Sequence, residues 1–343
     1  MANRLRHSIE FATTRASLGF TGVLILLGHS WVAANDSPGP DGRQNLLKSA
    51  NRILFLGDSI TYDGRYVAMF DVWLQTLDLN VTGGDGPPTV INAGLPSETV
   101  SGLSEEGHAG GKFPRPDLAE RLRRVLKLVK PDLIVACYGM NCGIYQPFDA
   151  ERFAAFRRGI ERLRREAKAI DAEIVHVTPP CYDDQRRPLS FEYNQVLGRY
   201  SSYLLDRAER DVWRVIDLHG PMTATLKERR QTDASFMFQR DGVHPNQEGH
   251  EFIAKTLITW FADASGVDGS AQAANLAATH GPLRELVHER LQIRRDAYLQ
   301  ASGHLRPGIR EGFPLPEAKQ KARAITRRID LLRKRGPQAS QPK

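Results

Sequence analysis

Between residues 52 and 262 short apolar runs alternate with helical patterns, and this alternation narrows the possible folds more than any other feature of the chain. The runs are "RILFLG" (52–57), "TVINAG" (89–94), "DLIVACYG" (132–139), "EIVHVTP" (173–179) and "VWRVIDL" (212–218). Each is too short for a helix and lacks polar alternation, which is the pattern of strands buried on both faces. Between them lie segments such as "FAAFRRGIERLRREAKAI", in which Phe153, Phe156, Ile160, Leu163 and Ile170 recur every three or four residues and form one apolar stripe. Strand followed by helix, five times over, predicts a parallel five-stranded sheet with right-handed crossovers and helices on both faces, a three-layer α/β/α domain.

The segments outside this core have different compositions. Residues 1–34 carry Arg4, Arg6 and Arg15, then the apolar "LGFTGVLILLG", then "WVAAND" with Val32 and Ala34 at small-residue positions. This is the layout of a bacterial secretory signal and predicts a secreted or periplasmic protein. The apolar run falls short of the ~20 residues that cross a bilayer, so no stable membrane span is expected, an uncleaved anchor being the alternative. Residues 35–50, with "NDSPGPDGRQ", read as a linker, and 51–264 as the main domain, closed by a helix over 244–262. Residues 265–343 form a basic extension with helices expected over 281–301 and 315–334; from residue 281 onward it holds 15 Lys and Arg against 6 Asp and Glu. Arginines interleaved with acids read as a solvated helix face, and no nucleic-acid-binding motif accompanies them, so nucleic acid is not an expected partner. Seventy residues with few large apolar groups cannot build a core alone, which predicts that the extension packs on the main domain or projects as a helical arm.

The chemistry concentrates at predicted strand ends. In "RILFLGDSIT" the first strand runs into Gly57, Asp58 and Ser59, and open α/β sheets bind ligands beyond the carboxyl ends of their strands. Ser59 stands where a nucleophile would sit, and equally where a helix N-cap would. Near the end of the domain, "DGVHPNQEGH" places Asp241 three residues before His244. Across a turn that spacing lets a carboxylate accept a hydrogen bond from the imidazole Nδ1–H, which fixes the tautomer and leaves Nε2 free to activate a serine hydroxyl; the same pair also occurs as ordinary structure. A nucleophile needs donors for the oxyanion that develops on the attacked carbonyl. The Ser59 N–H, Gly94 after the second strand and Asn141 after the third are the candidates, although Gly94 also suits a simple turn and Asn141 a cap.

The ordered set "GDSIT", Gly94 after "IN", "YGMN" and "DGVHP" resembles the SGNH or GDSL-type hydrolase superfamily, over about residues 52–262. The resemblance implies a flavodoxin-like fold, Ser59 as nucleophile, Ser59, Gly94 and Asn141 as oxyanion hole, His244 as general base and Asp241 as its orienter. It implies ester hydrolysis through an acyl-serine with no cofactor. Short acyl groups, acetyl in particular, on a small-molecule or polysaccharide carbohydrate ester are the expected substrate. A lipase or acyl-thioesterase of the same superfamily, or an inactive carbohydrate-binding scaffold, is the alternative. The third block departs from the superfamily's usual Gly-x-Asn-Asp, because Cys142 follows Asn141. With "TPPC" ending the fourth strand, Cys142 and Cys181 are expected to pair as a disulfide in an oxidising compartment, leaving Cys137 free. His108 and Lys112, in the glycine-rich "EEGHAGGKF", are expected on a loop beside the cleft. His219 and His250 carry no metal-ligand spacing, and no metal is expected.

Overall fold

The computed structural model describes residues 46–47, 49–77, 87–263 and 281–335. The expected secretory signal, most of the first linker and the linker after residue 264 lie outside the described residues. Five strands, β1 (Arg52–Gly57), β2 (Thr89–Asn92), β3 (Leu133–Cys137), β4 (Glu173–Val177) and β5 (Arg214–Ile216), form one sheet in the order β2-β1-β3-β4-β5. Every pairing is parallel, with Ile53 opposite Val90 and Leu133, and Val135 opposite Val175. β3 is the central strand with β1 and β4 on either side of it, and Ile53 to Leu56 of β1 are wholly buried, as an unbroken apolar run requires.

The helices are α1 (Ser59–Asp63), α2 (Arg65–Thr76), α3 (Leu118–Val129), α4 (Ala150–Lys168), α5 (Tyr193–Asp211), α6 (His219–Thr232), α7 (Gln247–Asp263), α8 (Gly281–Ser302) and α9 (Leu315–Arg335). The helical pattern after Ser59 breaks at Gly64, whose φ of 83° is left-handed, so α1 ends after one turn and α2 starts in a new direction. In α4 the stripe buries Phe156, Ile160 and Leu163 as expected, with Asp149 capping the N-terminus. Ile170 falls past the helix end and is 40% exposed.

The C-terminal extension packs on the main domain rather than projecting from it. α8 lies against α2, α3 and β2, and α9 packs on α8. Among the described residues β2 pairs with β1 alone, which leaves its outer edge without a strand; the Arg294 guanidinium of α8 donates to the Val90 carbonyl there. Arg290 grips both carboxylate oxygens of buried Asp71 on α2 at 2.9 and 3.0 Å and also reaches Thr326 on α9. One guanidinium therefore ties three helices, and loss of either member of the buried pair leaves an uncompensated charge worth about 3–5 kcal/mol.

Candidate active site

Ser59 follows β1 directly and opens α1, so its hydroxyl stands at the carboxyl edge of the sheet. Asp58 caps α1 by accepting from the Ile60 N–H at 2.9 Å, which makes Asp58, not Ser59, the helix cap and leaves the Ser59 hydroxyl unspent. That hydroxyl lies 2.8 Å from Nε2 of His244. Burial pushes the Asp58 carboxyl up to about 6, against the opposing Ile60 hydrogen bond and the nearby His244 and Arg115 charges.

His244 sits in the turn before α7. Asp241 accepts from the Val243 and His244 N–H groups through Oδ1, at 3.0 and 2.7 Å, and its Oδ2 lies 2.7 Å from His244 Nδ1. Burial would raise the Asp241 carboxyl, but the hydrogen bonds from the His244 side chain and from the two backbone N–H groups outweigh it and hold the acid below its ordinary value. An ionised carboxylate only accepts, so Nδ1 carries the proton and Nε2 presents its lone pair to Ser59. The relay is open to solvent, with the His244 and Asp241 side chains 52% and 56% exposed.

The oxyanion side is assembled differently from the sequence expectation. The Gly94 N–H donates to Asn92 Oδ1 at 2.8 Å and is already spent. A Cβ on Gly94 would stand 2.5 Å from the Tyr62 nitrogen, so glycine is needed there for the close approach of the β2 end to α1. Gly94 is corrected from oxyanion donor to packing glycine. Three residues on, Ser97 takes a left-handed φ of 69°, uncommon for a residue with a Cβ, and its N–H has no partner among the described residues. Its carbonyl accepts from Arg115, and the carbonyl of the next residue, Glu98, accepts from Asn141 Nδ2 at 3.3 Å. Ser97 carries no signal in the sequence, since the left-handed position it fills is one where glycine is expected.

Asn141 needs no following carboxylate to be held. Its Oδ1 accepts from the Tyr145 hydroxyl at 3.1 Å, and the Tyr193 hydroxyl donates to the Met140 carbonyl at 2.8 Å. Behind this loop, buried Glu98 and Arg121 form a two-pronged ion pair at 2.6 and 2.8 Å, joined by the Tyr138 hydroxyl at 2.6 Å. All three cysteines are free thiols, and the expected Cys142–Cys181 disulfide is absent. The reason is direction: buried Cys142 turns to the backbone of Val100 and Ser101, while Cys181 turns to Gln239. Burial pushes both thiols up to about 12.

The other histidines fall into structural roles. His108 Nδ1 lies 3.0 Å from Glu105, which also pairs with Arg115, so the glycine-rich loop braces the Ser97 and Asn141 side of the site. His219 opens α6 and is buried, and burial lowers its basicity. Among the described residues no group of three or more His, Cys, Asp and Glu could hold a metal ion. His250 lies against Asp63 in a cleft of about 370 Å³ beside Ser59 and His244, whose far wall is Gln292 and Arg295 of α8. No motif in the extension marks Gln292 or Arg295 as cleft residues.

Residues 55–252 match the family described as GDSL-like Lipase/Acylhydrolase. Among solved structures the chain is similar to an acetylxylan esterase from Geobacillus stearothermophilus, at 22% identity and a TM-score of 0.47 over 63% of this chain and 96% of that one. It is similar to a lipase/acylhydrolase from Enterococcus faecalis at 23% identity and a TM-score of 0.44, over 63% and 96% of the two chains. A gut microbial diltiazem-metabolizing enzyme is similar at 23% identity and a TM-score of 0.46; 64% of this chain matches, and it spans about half, 47%, of that enzyme. No curated protein matches the sequence.

Proposed function

Because the chain belongs to the GDSL-like lipase and acylhydrolase family and is a carboxylic ester hydrolase, we propose that it removes short acyl groups, acetyl foremost, from carbohydrate esters. In this reading Ser59 is the nucleophile, His244 the general base and Asp241 the group that orients it. The protein works after export, as the basic and apolar N-terminal segment suggests.

The observation that carries the reading is the exposed relay: a serine hydroxyl 2.8 Å from an imidazole nitrogen whose other nitrogen is held by a carboxylate at 2.7 Å. His244 Nε2 takes the Ser59 proton as the oxygen attacks the acyl carbonyl. The tetrahedral oxyanion is met by the N–H groups of Ser59 and Ser97 and by Asn141 Nδ2. Collapse expels the sugar hydroxyl with the proton from His244, and water then repeats the cycle to free the acid. The half-exposed relay admits an ester on a bulky alcohol, and the flanking cleft is lined with Asp63, Arg65, His250, Gln292 and Arg295 rather than with the apolar groove a fatty chain needs.

The test is p-nitrophenyl acetate followed by a panel of acetylated polysaccharides and a long-chain p-nitrophenyl ester. Acetate release by the wild type but not by Ser59→Ala, with little turnover of the long-chain ester, is the expected result. No hydrolysis of any ester by the wild type would make the protein a scaffold, and a preference for the long chain would make it a lipase.

A further inference from the structure

We infer that the cleft between α1, the His244 turn and α8 is the subsite for the alcohol half of the ester, a neutral hydroxyl-bearing sugar unit, and that Gln292 of the C-terminal extension reads it. The inference rests on the carbohydrate-ester reading and names the part of the chain that selects the carbohydrate. The family match ends at residue 252, so α8 stands outside it, yet α8 supplies the wall of the cleft that faces Ser59 and His244. At about 370 Å³ the cleft lies at the small end of small-molecule sites.

Its chemistry suits hydroxyl groups. The Gln292 amide lies 3.3 Å from His288 Nε2, a nitrogen that also lies 3.4 Å from the Asp63 carbonyl, and has no other partner among the described residues. His250 backs the cleft, its Nε2 lying 3.3 Å from Asp63. A sugar hydroxyl both donates and accepts, so it can serve such groups where water would otherwise have to. Tyr62 also lines the cleft, with the Arg295 guanidinium stacked 3.9 Å from its ring centroid. The charges are already matched: Arg65 pairs with Asp63, and Arg295 with Asp296. An anionic group would find no free cation among these residues, which favours a neutral sugar over a uronate or phosphate.

The wall is also fixed in place. Arg295 donates to the Tyr62 carbonyl at 2.7 Å, and His288 Nε2 lies 3.4 Å from the Asp63 carbonyl, so α8 is tied to both of the residues that follow Thr61 on the serine helix. Arg65 carries the connection across the cleft to the Pro245 carbonyl, next to His244. Gln292 is therefore presented at a set distance from the reacting serine, as a specificity residue must be.

Three measurements on the full-length protein test this: kcat and KM on acetylated xylobiose, the same on p-nitrophenyl acetate, and inhibition of the second reaction by xylobiose. For Gln292→Ala the expected result is about a tenfold or greater fall in kcat/KM on acetylated xylobiose, carried by KM, as for one lost hydrogen bond. Turnover of p-nitrophenyl acetate stays within about twofold, inhibition by xylobiose weakens, and the unfolding midpoint does not move. Parallel loss on both substrates would make Gln292 a support of the relay and overturn the inference. An unchanged Gln292→Ala beside a wild type that deacetylates xylobiose would also overturn it, leaving the carbohydrate reading intact. A wild type that hydrolyses p-nitrophenyl acetate but neither deacetylates nor binds xylobiose would end both.

Discussion

Ser59 and His244 are 185 residues apart in the chain and 2.8 Å apart at the carboxyl edge of the sheet. Nothing local brings them together: Ser59 is placed by the interior strand β1, and His244 by a turn whose Gln239 and Pro245 form an isolated antiparallel bridge. The contact is thus a product of the whole sheet, and every prediction about chemistry starts from it.

Ser59→Ala and His244→Ala are each expected to lower kcat by on the order of 10⁴-fold or more, measured with p-nitrophenyl acetate, and the double variant to be little worse than either, because the two act as a unit. Asp241→Asn should cost less, about 10- to 100-fold, because the Asp241 side chain is 56% exposed and its charge acts through water as well as protein. Equal losses for Asp241→Asn and Ser59→Ala would contradict that ordering.

Asn141→Ala removes a donor from the oxyanion side and is expected to lower kcat by about 100- to 1,000-fold with little change in KM. Tyr145→Phe leaves Asn141 in place but removes the hydroxyl that holds its Oδ1. A loss of roughly tenfold in kcat, confined to kcat, is the expected signature of a donor that has become free to turn.

Asp58 gives a pH-dependent stability effect of unusual sign. Its carboxyl is raised by burial to about 6, so the folded protein holds a proton that the unfolded chain has already released between pH 4 and 6. Stability from this group is therefore lost as pH rises through that window, by on the order of 3 kcal/mol. Asp58→Asn keeps an acceptor for the Ile60 N–H without the charge, so it should unfold at a higher temperature than wild type at pH 8 and at the same temperature near pH 4. Calorimetry at the two pH values checks it.

The thiols give a direct count. With Cys137, Cys142 and Cys181 all buried and burial raising each thiol, the native protein should react with no equivalents of a thiol reagent at pH 8. Denatured without reductant, it should react with three. A count of one would restore the Cys142–Cys181 bridge.

The parts legible in the sequence were those written in local pattern. The five apolar runs became the five strands, and the helices expected at 281–301 and 315–334 are α8 and α9 to within a residue. Ser59, Asp241, His244 and Asn141 stand where their motifs put them, because each motif sits at a strand end or turn whose geometry is set within a few residues. What escaped depended on contacts across the fold. Gly94 spends its N–H on Asn92, two residues away, a choice fixed by how the β2 end meets α1. The missing disulfide turns on side-chain direction inside two packed loops. Gln292 and Arg295 reach the cleft only because α8 docks on α2 and β2.

That docking also sets the order of assembly. The cover over Val90 on the outer edge of β2 is Arg294, 204 residues downstream. While the chain is being made, the strand is finished long before its cover exists, so for most of synthesis it offers unpaired backbone to any other extended segment nearby. A nascent chain of this protein therefore completes its first two strands early and their guard late, and a pause in translation before residue 281 would leave the first half of the sheet to find a partner of its own.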